Sequence, residues 1–543
     1  STDRGNSWQI ISPDLTTNDT SKQKQYDSGG LTYDVTDAEN FTTIISIDPS
    51  PINKDIIWVG TDDGNLQLTR NGGKTWKNVS GNFGAPAGTW IPQVRASTYN
   101  ESEAWVVLDN HRRNDWNAYA YYTKDYGEHW TNIAGDDSIF GYALSILQDP
   151  AEPNLIFLGT EFGLYVSFDK AKTWNKWKEG YPNVSTMDMQ IQPRENDLIL
   201  GTFGRSVYIL DNIEPLRELA GNNKILDEKL YLFPVPKSRD DYYRWKGPGP
   251  LYPGESDFNG ENRKQGAMIT FLANPDTTKE KETGETDTLN TGKLKGDSVK
   301  VEIINTEGKI IRTFEEKIEQ GINRVYWKYD RKGVRWPHEP KPEKEHEFSG
   351  PTVLPGTYKV KVIFENYADS TNIEFNSDPR FNLSVDNLKA RSDYLDKILA
   401  KVEIATRAAD RIREAEKTID IIISRIKEKS GKQIDSLNKL NKSVKDSLKN
   451  LMELINQPEV QGIRDNPNTL GNRLNTVYEY INSSFDAPGK TADEALQLAD
   501  EKLASTIKRI NNFFDTVWKN YENSVDNAGV SIFEKYEPLE IKK

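Results

Sequence analysis

The sequence predicts a multidomain, mainly β protein: a partial β-propeller, then a β-sandwich of immunoglobulin-like shape, then an antiparallel α-helical bundle. Three observations predict it. An eight-residue turn ending in tryptophan recurs four times between Ser1 and Trp174. Alternating apolar and polar residues continue to about residue 382, and from about Leu383 the apolar period changes from two to three and four.

The turn reads STDRGNSW (Ser1 to Trp8), TRNGGKTW (Thr69 to Trp76), TKDYGEHW (Thr123 to Trp130) and SFDKAKTW (Ser167 to Trp174). Its third residue, Asp3, Asn71, Asp125 or Asp169, can accept backbone hydrogen bonds. Its fifth, Gly5, Gly73 or Gly127, supplies a backbone angle that side chains resist, so Ala171 is expected to strain its copy. The tryptophan opens the next strand, with its indole expected to wedge between neighbouring sheets.

Upstream of the later copies stand WVGTDDGNLQLT and FLGTEFGLYVS, and further on LILGTFGRSVYILD, each a strand, a tight turn and a strand. IISIDPS, LSILQDP and MQIQP add a preceding strand closed by proline. The unit is four successive strands at a spacing of roughly fifty residues, the period of propeller blades.

The pattern S-x-D-x-G-x-T-W resembles the Asp-box, or bacterial neuraminidase repeat, of sialidases and sortilin-type propellers. GTDDGNLQLTRNGGKTW, LGTEFGLYVSFDKAKTW and LGTFGRSVYILDNIEPLREL, with the later LFPVP and GENRKQGAMITF, are similar to large exported bacterial proteins described as sortilin-like or glycosyl-hydrolase repeat proteins. The resemblance implies bacterial origin, export, and a secreted, periplasmic or cell-surface location.

Residues 1–220 are expected to hold three whole blades and two partial ones. Ser1 to Trp8 implies a third strand just before it, so Ser1 is read as lying inside a longer precursor. The propeller-completing partner is then the remainder of that precursor or another segment. A competing arrangement has WQIIS (residues 8–12) supply the fourth strand of the last blade. Residues 221–382 are read as an aromatic and proline-rich linker (DDYYRWKGPGPLYPG) and the sandwich, with a polar loop at about 275–297. Residues 383–543 are read as a four-helix bundle. Its first helix carries the stripe Leu395, Ile398, Val402, Ala405, Ala409, Ile412, Ile419, Ile423 and Ile426, broken by Glu416, and TADE is expected to cap its last helix.

Charged residues make up 28% of the chain and the net charge is −13. That balance, with no Lys/Arg cluster, argues against nucleic acid as a main partner. Cysteine is absent, which excludes disulfides and thiolate metal sites. No apolar run is long enough to span a membrane. None of the four histidines has a second at zinc-ligand spacing, so neither a metal nor another cofactor is expected.

The Asp-box residues are read as turn braces. Hairpins joining the second and third strands emerge at the other end of each blade. They carry Asp62 and Asp63, then His111, Arg112, Arg113, Asp115 and Trp116, then Glu161 and Phe162, then Arg205. Loops converging on a rigid scaffold are where sites form. A ligand-binding mouth and simple ion pairing, such as Arg113 with Asp115 or Glu161 with Arg205, stand as equal readings.

Three functions follow. The first is an exported, non-catalytic propeller protein that binds a peptide, a glycan or a partner subunit, with the sandwich and helices as rigid spacers. The second is a sialidase-like glycoside hydrolase using two of Asp62, Asp63, Asp115 and Glu161, with part of its site in blades ahead of Ser1. Such a pair needs carboxyls about 5.5 Å apart for retention or about 6.5–9.5 Å for inversion. The third is a subunit of a cell-envelope complex.

Overall fold

A computed structural model describes residues 1–23, 41–135, 138–240, 263–275, 298–343, 346–427, 430–458 and 466–530. The linker after Asp240 and the polar loop from residue 276 lie outside them. The chain forms two compact units, Ser1–Tyr231 and Leu232–Lys543.

The first unit contains antiparallel sheets that resemble propeller blades. The first sheet is Ile44–Pro49, Ile57–Thr61, Leu66–Thr69 and Lys77–Asn78; the second is Trp90–Ala96, Ala104–Asp109, Tyr119–Thr123 and Thr131–Asn132. The third is Ala143–Gln148, Ile156–Thr160, Gly163–Ser167 and Asn175–Lys176; the fourth has three strands, Thr186–Gln192, Asp197–Thr202 and Val207–Leu210.

Register explains how they stack. Gln93 pairs with Val107, Ser145 with Gly159 and Asp188 with Gly201. The next residue on each strand, Val94, Ile146 or Met189, therefore points to the opposite face. These three are 1%, 0% and 1% exposed. Each packs on the preceding sheet: Val94 joins Trp58 and Leu68, Ile146 joins Trp105 and Val107, and Met189 joins Leu155 and Phe157. Burying a side chain of this size contributes about 1.5–3 kcal/mol.

The four tryptophan turns share one hydrogen-bond plan. The fifth residue's N–H donates to the first residue's hydroxyl at 2.7–2.9 Å, and the seventh residue's N–H donates to Oδ1 of the third at 2.9 Å. The indoles of Trp76, Trp130 and Trp174 donate to the carbonyls of Ile11, Val79 and Ile133 at 3.0, 3.1 and 2.7 Å. Each acceptor stands three residues after the tryptophan of the preceding turn. The rings are half-buried, less deep than the wedge expected from sequence, because one edge of each turn faces water. Ala171 has φ +62°, as its glycine counterparts require, but its methyl is buried in the core with Trp105 and Ala134.

WQIIS forms no strand: Ile11 lies against Gly73 and Trp76, beside the first sheet and not on the fourth. In the fourth sheet Asn212 holds the place of the turn's third residue. Ile213 N–H donates to Asn196 O as Lys170 N–H does to Asn154 O. Then, instead of returning as a strand, the chain enters helix α1 (Glu214–Gly221), with proline in its first turn. Leu216 and Ala220 pack into the core between the third and fourth sheets. Buried Arg217 clasps Asp149, with Nε 3.0 and 2.9 Å from its two oxygens.

In the second unit, Ala267–Ala273 pairs antiparallel with Gly321–Trp327. A curled mixed sheet runs in the order Ser238–Asp240, Tyr367–Ser377, Gly356–Phe364, Ser298–Ile304, Ile310–Lys317, and its first pair is parallel. Helix α2 (Val385–Ile426) follows, then α3 (Lys432–Ile455), α4 (Leu470–Asn482) and α5 (Lys490–Phe513). The last continues through a π turn at Phe514–Trp518 into α6 (Lys519–Asn527). Two sequence expectations change. Ile422 is buried and Ile423 faces out, because a step of three from Ile419 keeps the stripe on the bundle side. TADE does not cap: α5 already starts at Lys490, behind Gly489, so Thr491 is helical.

Candidate functional site

At the end of the sheets opposite the tryptophan turns, a cleft of about 720 Å³ opens between the hairpins of the second and third sheets. Trp116, Asn117, Tyr119, Phe140, Glu161 and Phe162 line it.

Its wall begins where strand Ala104–Asp109 ends. A single helical turn at His111–Arg113 closes on Asn114, whose φ of +60° reverses the chain. Asp115 then accepts from Asn110 Nδ2 at 2.8 Å, Tyr119 OH at 2.9 Å and Asn117 Nδ2 at 2.8 Å. This clamp holds Trp116 outward, 52% exposed, with its indole N–H on Asn114 Oδ1 at 3.1 Å. Opposite, Phe140 is 65% exposed and stacks on Phe162 at 4.8 Å. Gly141, at φ +84°, permits this: a Cβ there would lie 2.7 Å from Phe162 and 3.1 Å from Glu161.

Behind Trp116, with ring centroids 5.9 Å apart, stands His111. Its Nδ1 lies 2.7 and 2.8 Å from the two oxygens of Asp109, and its ring stacks on Tyr142 at 4.5 Å. Bonding at Nδ1 leaves Nε2 as the second polar atom of the ring. Burial raises the Glu161 carboxyl above the usual range; the charge of Asp109 adds to this and His111 opposes it. Asp115 goes the other way: burial alone would raise it, but the bonds from Asn110, Tyr119 and Asn117 outweigh burial and hold it low. Glu161 in the cleft lining and Asp115 in the loop that carries Trp116 thus have carboxyls shifted in opposite directions.

Other residues expected at the mouth have structural employment. Asp62 and Asp63 are each 5% exposed. Asp62 accepts from Thr43 N–H at 2.7 Å, and Asp63 accepts from Thr17 N–H at 2.5 Å and from the Thr61 hydroxyl. Asp63 braces a strap whose Leu15 carbonyl also takes Asn65 and Gln67. Burial, with the adjacent Asp63 charge, raises Asp62 to about 6 against the Thr43 bond. The guanidinium of Arg112 lies 3.6 Å over the ring of Trp90, and Arg113 Nη1 donates to Ala87 O at 3.0 Å. Arg205 is exposed on the fourth sheet's hairpin. Phe140 and Tyr119, which line the cleft, and Asp109 and Tyr142, which hold His111, were not among the residues expected from sequence. Among the described residues no cluster of His, Asp and Glu has the makings of a metal centre.

No family model matches the chain. A stretch of 94 residues is 31% identical to the oligoxyloglucan-reducing end-specific xyloglucanase of Emericella nidulans, covering 16% of this chain and 10% of that protein. Among solved structures, the GH74 enzyme of Niastella koreensis aligns at TM-score 0.25 and 13% identity, covering 32% of this chain and 29% of that one. YCF48 bound to D1 peptide aligns at 0.22 and 17%, covering 31% and 64%. An ancestral GH74 enzyme aligns at 0.27 and 13%, covering 51% and 33%. The chain spans about a tenth of the curated relative and under two thirds of each of these structures.

Proposed function

We propose that the first unit is part of a non-catalytic Asp-box propeller that binds a neutral saccharide chain in the Trp116–Phe140 cleft. One observation carries this reading: two large exposed rings, Trp116 and Phe140, line an open groove whose polar groups include Glu161 and Asn117. Pyranose rings offer flat C–H faces to aromatics and hydroxyls to carboxylate and amide groups, the mixed chemistry typical of small-molecule sites. The 31% match to a xyloglucanase points to the same ligand class. On this reading the protein is exported, and the second unit, with an immunoglobulin-like sandwich and helices, is a rigid spacer. Calorimetric titration with soluble cello- and xylo-oligosaccharides tests it: saturable heat that disappears in Trp116→Ala is expected, and absence of binding by the intact chain refutes it.

A second reading has a specific observation behind it. Glu161, with its raised pKa, and Asp115, with its lowered one, are displaced as the acid and the ionised partner of a glycosidase are. Reducing-sugar release lost in Glu161→Gln, with binding retained, distinguishes hydrolysis from binding alone.

A further inference from the structure

The repeat register assigns a partner to the open face of the first sheet. Ser46 pairs with Gly60, so Ile47 occupies the position of Val94, Ile146 and Met189 in the later sheets. Ser46 accepts from Val94 N–H and Asp48 from Ala96 N–H, which turns that edge toward the second sheet. Ile45 and Ile47 therefore face away from it. Val94, Ile146 and Met189 are at most 1% exposed, whereas Ile47 is 62% exposed and Ile45 40%. Trp8 is 80% and Ile10 97% exposed.

The turn at Ser1–Trp8 is nonetheless fully made. Gly5 N–H reaches Ser1 Oγ at 2.7 Å, Ser7 N–H reaches Asp3 Oδ1 at 2.9 Å, and Ile11 O receives the Trp76 indole. In the other copies the residue at the position of Ser1, namely Thr69, Thr123 or Ser167, ends a third strand. The residues after the tryptophan pair with that strand: Lys77 and Asn78 with Leu68 and Gln67, Thr131 and Asn132 with Tyr122 and Tyr121. Gln9 and Ile10 stand ready for the same pairing.

We propose that this face receives a further three-stranded sheet of the same repeat, whose third strand pairs with Gln9 and Ile10. Its apolar face covers Ile45 and Ile47. The outer strand of the sheet beyond it offers a carbonyl to the Trp8 indole, continuing the ladder of Trp76, Trp130 and Trp174. The fourth sheet, from this chain or a second copy, does not fit the role. Leu210–Ile213 and α1 already fill its turn position, where Ser1–Trp8 would have to lie. Continuity with the three formed interfaces is what selects the occupant. This inference goes beyond saccharide binding and does not depend on it.

The chain has no cysteine, so Ile47→Cys gives a single reporter thiol. Residues 41–68, the chain's own first three strands, would be fused ahead of Ser1 and compared with a Gly/Ser extension of equal length. Thiol labelling at position 47 is expected to slow at least about tenfold in the strand fusion only, since reaction then needs local opening. Equal rates in both fusions overturn the proposal. A second measurement covers misfolding of the fusion. In the unextended chain Ile47→Glu is expected to leave the thermal midpoint in place while Val94→Glu lowers it sharply. An equal loss in both would mean that the chain already covers this face, and would also overturn the proposal. Oligosaccharide titration of the same variants reads the cleft separately.

Discussion

The two ends of the sheets make a controlled comparison. At one end four turns repeat the same bonds, Ser or Thr at the first position to the fifth N–H and Asp or Asn at the third to the seventh, with little change in length. At the other end each hairpin differs: a buried carboxylate brace at Asp62 and Asp63, an aromatic projection at Trp116, a glutamate and a ring at Glu161 and Phe162. Uniform geometry holds sheets together. Variation on the same scaffold is, on the proposed reading, where a ligand is met. Breaking the first end should cost stability and spare binding, and breaking the second should do the reverse.

The largest effect is expected for Trp130→Ala. Its ring lies 5.0 Å from Phe83 and 6.2 Å from Trp58, and its indole holds Val79 O. Denaturant titration should show a loss of about 3–5 kcal/mol. The same change at Trp8, 80% exposed, should stay within about 0.5 kcal/mol. At the other end, Trp116→Ala with Phe140→Ala should lower oligosaccharide affinity at least about tenfold, roughly 1.4 kcal/mol, with the unfolding midpoint nearly unmoved.

A smaller effect tests whether Asp62 belongs to the frame or to the site. Its folded-state pKa, about 6, stands above the ordinary aspartate value. The native state therefore holds the proton more tightly, and stability should fall as pH rises from about 4 through 6. Asp62→Asn keeps an acceptor for Thr43 and removes the charge. It should flatten that slope and add roughly 1–2 kcal/mol at pH 7.5, with ligand affinity unchanged. Urea midpoints measured from pH 4 to 7.5 read both quantities.

The smallest effect concerns the turn that lacks glycine. Ala171→Gly relieves a positive φ, worth about 1 kcal/mol, but removes a buried methyl, worth about 0.8 kcal/mol. A net change within about 0.5 kcal/mol is expected. Gly127→Ala should instead destabilise clearly, since its Cβ would come 2.9 Å from Val79 and 3.3 Å from Trp130.

Much of the frame was legible because the turn's chemistry is local: a hydroxyl, a carboxylate and a glycine within five residues specify one loop. The placement of Trp116, Glu161 and Phe162 at one end of the sheets was legible too, since a hairpin's position within a repeat says which way it points. The bracing bonds of Asp62 and Asp63 were not legible, because their partners at Thr43 and Thr17 are 19 and 46 residues away and only folding brings them together. Asp109, Tyr142 and Phe140 escaped notice because they sit at a strand end and in an inter-sheet loop, outside the hairpin motif. Helix α1 was hidden by the sequence ILDNIEPLREL, which keeps the turn's spacing through Asn212 while losing its hydroxyl and its tryptophan.

Calorimetric titration of the intact chain with neutral oligosaccharides, beside the Trp116→Ala/Phe140→Ala variant, tests the account most directly. Saturable binding by the parent, lost in a variant that melts at the parent's temperature, is the predicted result. Equal binding by both, or none by the parent, would contradict it.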